Sequence, residues 1–315
     1  DDAHATSCPR DSAMNAALLV APDFLLIALG VLLARRFAYG APFWEGVERL
    51  VYFVLFPALL FRSLATAPLA IGDAGALALT ALGYTGGAMV LSALARPLFA
   101  LPRETFAACF QCGFRFNTYL VLAVASSLGG AKAVALASLV VGIMVPVVNV
   151  AAVAVLARGH AARIALEVAR NPLVLATLAG IAWNALALPM PRVPARMLEL
   201  AGNGALPLGL LAVGAALRFE RGALPLPALA WFHVVKLVAM PAIALALAHA
   251  MALTTVETQV ALAHASVPTA TSAYILAARM NGRGAPVALI VSTGTLLAAF
   301  TMPIWIAWAA WGIAA

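Results

Sequence analysis

Two clusters of polar residues interrupt otherwise apolar sequence, and their residue types suit an anion. The first lies in FAACFQCGFRFNTYLVLAVASS, where Gln111, Gly113, Arg115, Asn117 and Thr118 stand close together. The second lies in TQVALAHASVPTATSAYILAAR, which carries His264, Ser266, Pro268, Thr269, Thr271 and Ser272. A guanidinium takes a carboxylate through two parallel hydrogen bonds, and nearby amides and hydroxyls can donate to the same ligand. Gly113 relaxes the backbone, while Pro268 deletes an amide donor and obstructs the carbonyl one turn back, so each cluster is expected to break a helix. An opened helix presents the unpaired amides of its second half, a partial positive charge suited to an anion.

Each of these residues also has a plainer use. Arg115 either meets a ligand or ties down carbonyls freed at the break, and Asn117 and Thr118 either bind substrate or bond across helices. Lys236 either compensates a ligand's charge or rests beside helix carbonyls. His264, whose ordinary titration lies near physiological pH, serves coupling or packing. Asn149, three residues after Pro146 in VPVVN, is expected opposite the first break if its helix packs there. Asp23 and Asp73 lie near span ends, with solvation expected. Cys109 and Cys112 form one CFQC inside an apolar block, and Cys8 stands alone. No second ligand pair accompanies them, so packing rather than metal or redox use is expected. HExxH, GxSxG and paired aspartates at depth are absent, which removes the usual enzymatic centres of a membrane protein.

The elements that must hold these clusters are membrane helices. Of 315 residues, 64% are hydrophobic and 10% charged, with mean hydropathy +1.02, far above an ordinary soluble domain. The net charge of +7 comes mostly from arginines between apolar blocks, which fits topology and anionic headgroups rather than nucleic acid. Spans of about 20 residues fall at 16–34, 47–65, 74–95, 105–128, 133–157, 172–189, 197–217, 226–250, 257–278 and 285–311, forming a single polytopic domain. Arg115 and Lys236 are the only Lys or Arg deep inside a span. A charge at that depth costs about 2.5–3.5 kcal/mol by insertion scales and is normally turned to a cavity or partner.

Odd connections carry Arg35, Arg36, Arg49, Arg96, Arg103, Arg158, Arg163, Arg170, Arg218, Arg221, Arg279 and Arg283. Even connections and termini carry Arg10, Arg62, Lys132, Arg192 and Arg196. The positive-inside rule then puts the odd connections in the cytoplasm and both termini outside, on the periplasmic face of the inner membrane. The longest connection, RGHAARIALEVARN, separates two sets of five spans, 14–157 and 171–311, which five being odd makes oppositely oriented. Pro57 and Pro207, Pro146 and Pro303, and FNTYLVL and TSAYILA recur at nearly constant separation. That punctuation predicts an inverted repeat, an architecture that places substrate near the midplane at interrupted helices.

The sequence resembles the auxin efflux carrier family, in its bacterial form, within the bile acid/arsenite/riboflavin transporter superfamily. RLVYFVLFPALLFRSLA, FRFNTYLVLAV, VPVVNVAAVAVL, NPLVLATLAGIAWN, ALPLGLLAVGAAL, KLVAMPAIALAL, SVPTATSAYILAARMNG and STGTLLAAFTMPIW carry the resemblance in order and spacing from about Asp23 onward. It implies an all-α fold of ten spans in two inverted repeats, with spans 4 and 9 broken and crossing as in bile-acid-symporter-like proteins. It also implies a scaffold of spans 1, 2, 6 and 7 that makes homodimers, and a mobile elevator of spans 3 to 5 and 8 to 10. Family substrates are organic anions, among them indole-acetate, malate and malonate. Matching positions put Asn117 and Thr118, Pro268, Thr269 and Ser272, and Asn149 at the substrate. The chain departs from the plant pattern in having Gly113 and Asn117-Thr118 where a proline is expected, and a short central connection.

The expectation is therefore a secondary transporter of a small organic anion, held by Arg115, Asn117, Thr118, Asn149, Ser266, Pro268, Thr269, Thr271 and Ser272. Lys236 and His264 are the residues for charge compensation or coupling. No cofactor is expected beyond proton or sodium coupling, and the partners are the substrate, the bilayer and a second copy of the chain. An anion channel or membrane sensor of the same fold is the alternative.

Overall fold

The computed structural model describes residues 9–37, 39–66, 75–156, 171–219, 222–281 and 283–311. The central connection at 157–170, Cys8, Asp73 and Arg221 lie outside the described residues. Those residues form helices only: α1 Pro9–Arg36, α2 Ala41–Leu50, α3 Phe56–Ala65, α4 Gly75–Phe99, α5 Arg103–Phe110, α6 Thr118–Leu156, α7 Pro172–Ala185, α8 Arg192–Ala215, α9 Leu226–Val234, α10 Met240–Ala250, α11 Thr255–Ser266, α12 Ser272–Asn281 and α13 Gly284–Trp311. Six helical stretches among the described residues are long and apolar enough to cross a membrane. All ten apolar blocks marked out in the sequence fall on helical segments, and the expected interruptions appear at 114–117 and 267–271.

Local chemistry explains the irregular points. The π-turns Val51–Leu55 and Val235–Ala239 each stand immediately before an X-Pro pair, Phe56-Pro57 and Met240-Pro241. A proline ring cannot donate to the carbonyl four residues back and crowds it, and a widened turn relieves the clash. The carbonyl freed by Pro241 is that of Leu237, and it accepts the Trp305 indole N–H at 2.8 Å. In α6 the backbone leaves helical geometry at Gly129 and Gly130, where Gly130 has φ +56°. This left-handed position suits glycine, and it divides the long helix where the sequence separates spans 4 and 5. Two helices start on designed caps: the Asn171 Oδ1 accepts the Leu173 and Val174 amides, and Thr254 with Glu257 forms a capping box ahead of α11.

Packing divides into two neighbourhoods. In one, α1 lies on α8, and α3 lies on α7 and α8. Glycine brings these backbones together: a side chain at Gly30 would strike the Leu211 carbonyl, one at Gly214 the Ile27 carbonyl, and one at Gly180 the Phe61 carbonyl. In the other, α11 packs against α4, α6, α10 and α13, and α10 packs on α4. Helices α1 with α13 and α6 with α7 join the two neighbourhoods. Contacts between chain connections respect the alternation read from arginine placement. Arg283 pairs with Glu104 at 3.3 Å and Arg35 lies over the Phe219 ring, odd with odd, while Arg62 pairs with Glu199 at 3.7 Å, even with even. Such surface contacts are worth about 1 kcal/mol or less; their value here is as markers of which ends are neighbours.

Asp23 departs from expectation. It is buried, and its Oδ2 has no partner among the described residues. The cause is helical register: Val20, Asp23, Ile27 and Gly30 recur every three or four residues on one face of α1 and are all buried.

Candidate functional site

The two interrupted segments are hydrogen-bonded to each other. The Asn117 amide donates to the Pro268 carbonyl at 2.9 Å, and the Thr269 hydroxyl donates to the Cys112 carbonyl at 2.6 Å. The Gln111 Nε2 donates to the Ala273 carbonyl at 3.1 Å, and the Arg115 Nη1 reaches the Ser272 Oγ at 3.4 Å. Backbone groups released from one helix are thus met by the other, the condition for irregular backbone at membrane depth. The approach is close because position 113 has no side chain: a Cβ there would collide with the Ser92 Oγ and lie 3.1 Å from Val235 Cγ1.

Arg115 is buried and its Nη2 donates to the Asn149 Oδ1, so α6 supplies the partner that the sequence placed opposite the break. Its Nε is buried without a partner. Lys236, at 2% exposure, donates from Nζ to the Ala265 carbonyl at 2.9 Å and to the Met240 Sδ at 3.2 Å. Neither cation is ion-paired among the described residues. Their helix environments are opposite. Lys236 sits at the carbonyl end of α11, where a cation is favoured, while Arg115 sits beside the first residue of α12, where the amide end favours an anion.

The other expected residues divide by what their polar atoms meet. The Asn117 side chain acts as a helix cap: its Oδ1 accepts from the Tyr119 amide at 3.0 Å and the Leu120 amide at 3.3 Å, starting the second half of the broken helix. Thr118 follows as the first residue of α6 and is half-buried. Ser266 donates to the Leu262 carbonyl of its own helix at 2.6 Å and is fully buried. His264 shares a hydrogen bond with the Tyr84 hydroxyl at 2.8 Å through Nδ1, stacks near Phe116, and has an unpartnered Nε2. Thr271 is half-buried and Ser272 exposed.

A cavity of about 300 Å³ reaches the second interruption. Thr271, Tyr274, Ala288, Val291 and Ser292 line one side, and Ala34, Tyr39, Trp44, Glu45, Glu48, Ala215 and Arg218 line the other. Its walls therefore come from both packing neighbourhoods. Arg218 bridges them: its amide donates to the Ser292 Oγ at 2.8 Å, the Ser292 hydroxyl donates to the Arg218 carbonyl at 2.7 Å, and its guanidinium lies 5.6 Å from the Tyr274 ring centre.

Residue reading left three contributors out of the expected site. Gln111 stitches the two segments and keeps an unpartnered, buried Oε1; its place four residues before Arg115 was the available signal. Tyr84 and Met240 are partners of His264 and Lys236, and nothing in their local sequence marks them. Among the described residues no group of three or more His, Cys, Asp or Glu comes together to hold a metal.

Residues 160–306 match the family model described as membrane transport protein, that of the auxin efflux carrier membrane transport family, a family of transporters and not of enzymes. The match contains the second interruption, Lys236 and His264; Arg115, Asn117, Thr118 and Asn149 precede it. No curated protein matches the chain.

Proposed function

We propose that the chain is a secondary active transporter of a small organic anion, a mono- or dicarboxylate of malate, malonate or auxin-like type, working by elevator-type alternating access. The carrying observation is the Arg115 guanidinium, buried at the amide end of α12 with no carboxylate paired to it among the described residues. An organic carboxylate completes that arrangement, bonding the guanidinium, the Ser272 and Thr271 hydroxyls and backbone amides at the start of α12. Thr269 and Pro268 hold the backbone of the site, and Asn117 and Thr118 set the start of the facing half-helix.

The ten-pass inverted repeat gains support from reciprocal packing. Helix α1 pairs with α8 as α7 pairs with α3. The glycine seats match in register, since Gly180 lies 150 residues after Gly30 and its contact partner Phe61 lies 150 residues before Leu211. Two halves that insert in opposite orientation and embrace each other produce this reciprocity. On this reading α1, α2, α3, α7 and α8 form the scaffold that also makes a homodimer, and the remaining helices form the moving bundle. The termini lie outside the inner membrane, and the cavity opens toward the cytoplasm, flanked by the arginine-rich ends at Arg35, Arg36 and Arg218.

Energetics then couples flow to the membrane potential, because each net charge moved is worth about 2.3 kcal/mol per 100 mV. Export of an anion from a negative interior runs downhill, whereas uptake requires a proton or sodium ion with it. The test is flux into proteoliposomes of the purified chain loaded with malonate, malate or indole-acetate. Saturable uptake of the labelled anion that is accelerated by unlabelled anion on the far side supports a carrier. Conductance far above carrier turnover, or specific binding with no flux, turns the reading to the channel or the sensor.

A further inference from the structure

We propose that Lys236 is the proton site of this carrier: the amine gains a proton as an organic anion enters the neighbouring break, so that anion and proton move together. This rests on the anion-carrier reading above and adds to it the coupling ion and the residue that holds it.

The shell of Lys236 carries the inference. A protonated amine has three N–H donors and a neutral one has two. The structure gives Nζ two acceptors, the Ala265 carbonyl and the weakly accepting Met240 thioether. That is the number a neutral amine uses. A permanent ammonium in a buried site needs a compensating charge, and among the described residues no carboxylate pairs with it. On its own helix the titratable neighbour is His233, hydrogen-bonded to Thr293. From α11 come His264, one residue before the Ala265 carbonyl, and, at the helix's far end, Glu257, held in the capping box with Thr254; from α4 comes Tyr84, bonded to His264. From the first interruption come Cys112 and Arg115, and α13 contributes no titratable or charged residue. Among the described residues the groups nearest the amine are neutral or basic, and the one carboxylate on these elements, Glu257, is spent on its cap, so the counter-charge arrives from outside. It can arrive close by, because the π-turn holding Lys236 packs directly on the first interruption, with Val235 against Gly113. Carbonyl and thioether remain in place as the third N–H forms, and the anion in the break balances the new charge. When the anion leaves, the proton leaves with it. No bond other than N–H is made or broken.

The experiment uses the full chain in proteoliposomes containing a trapped pH indicator, with labelled malonate, malate and indole-acetate as probes. In the wild type, about one proton is expected to enter with each anion carried, read as the ratio of acidification to uptake. Lys236→Arg keeps a cation that does not release its proton, and the ratio is expected to fall to near zero while counterflow stays measurable. A merely structural cation is rescued by arginine, and an unchanged ratio in Lys236→Arg overturns the assignment. Net uptake of the labelled anion into anion-free vesicles by the wild type without acidification overturns proton coupling and leaves the carrier intact. Absence of counterflow for all three probes overturns the carboxylate-carrier reading and this inference with it. The wild type alone provides a second measurement should the variant fail to fold. Between about pH 7 and 9 the carboxylates themselves are fully ionised, so uptake of one linked proton weakens anion affinity about tenfold for each unit of rising pH. Affinity independent of pH over that window overturns the proposal.

Discussion

The two interruptions use different means to open a helix. At 114–117 the chain turns through a 3-10 segment at Gln111–Gly113, is buried throughout, and restarts on its own cap, Asn117. At 267–271 the break follows from Pro268, and burial decreases along it from Val267 to the exposed Ser272. The first break brings its own cation; the second receives Lys236 from a neighbouring helix. One is a closed, buried turn that carries a guanidinium, and the other is an open one whose end, at Thr271, lines a cavity. A polar break in a membrane is therefore no single device: its role depends on which half of its freed backbone groups the protein itself occupies.

That contrast can be broken at several points. Removing the guanidinium should do most. Arg115→Met is expected to weaken carboxylate-induced thermal stabilisation by about 10- to 100-fold in apparent affinity, the worth of a charge-assisted hydrogen bond. An unaltered affinity removes Arg115 from the site. Pro268→Ala lets the open break move toward continuous helix, so turnover in proteoliposomes should fall roughly tenfold, with a smaller change in melting temperature, because misplaced groups cost rate before fold. Equal turnover in that variant shows that the second break needs no proline.

The closed break is tested through its packing. Gly113→Ala drives a methyl into Ser92 and Val235, an overpacking cost of about 1–3 kcal/mol, seen as a lower melting temperature. Adding Ser92→Ala should return part of it, and a single variant as stable as wild type refutes the close approach. The smallest effect is expected at Asn117. Its Ala variant loses a helix cap, about 1 kcal/mol, while Asn117→Asp keeps the accepting oxygen and adds a negative charge near the anion site. The Asp variant should therefore be the more stable of the two and the poorer binder, an ordering read by thermal shift with and without malonate.

How far these features are legible in sequence depends on their range. Gly113, Pro268 and the alternation of apolar blocks with arginine act locally, and they locate the breaks and helices with little ambiguity. The family resemblance extends that reading to transport. What sequence leaves open is the choice between uses of one side chain. Asn117 has the chemistry of a ligand and of a cap, and only its distance to the Tyr119 and Leu120 amides separates them. The Lys236 contact joins residues 29 positions apart and that of Arg115 joins residues 34 apart, so both follow from tertiary packing. Asp23 misleads for a related reason: closeness to a span end suggests water, but helix register turns it inward.

The shared cavity has a further consequence. On the elevator reading proposed above, Trp44 on one wall and Tyr274 on the other make the gap between them a ruler fixed at each end to a different body. A pair of spectroscopic labels at these two positions would report sliding of one body past the other directly, molecule by molecule, without any knowledge of the cargo.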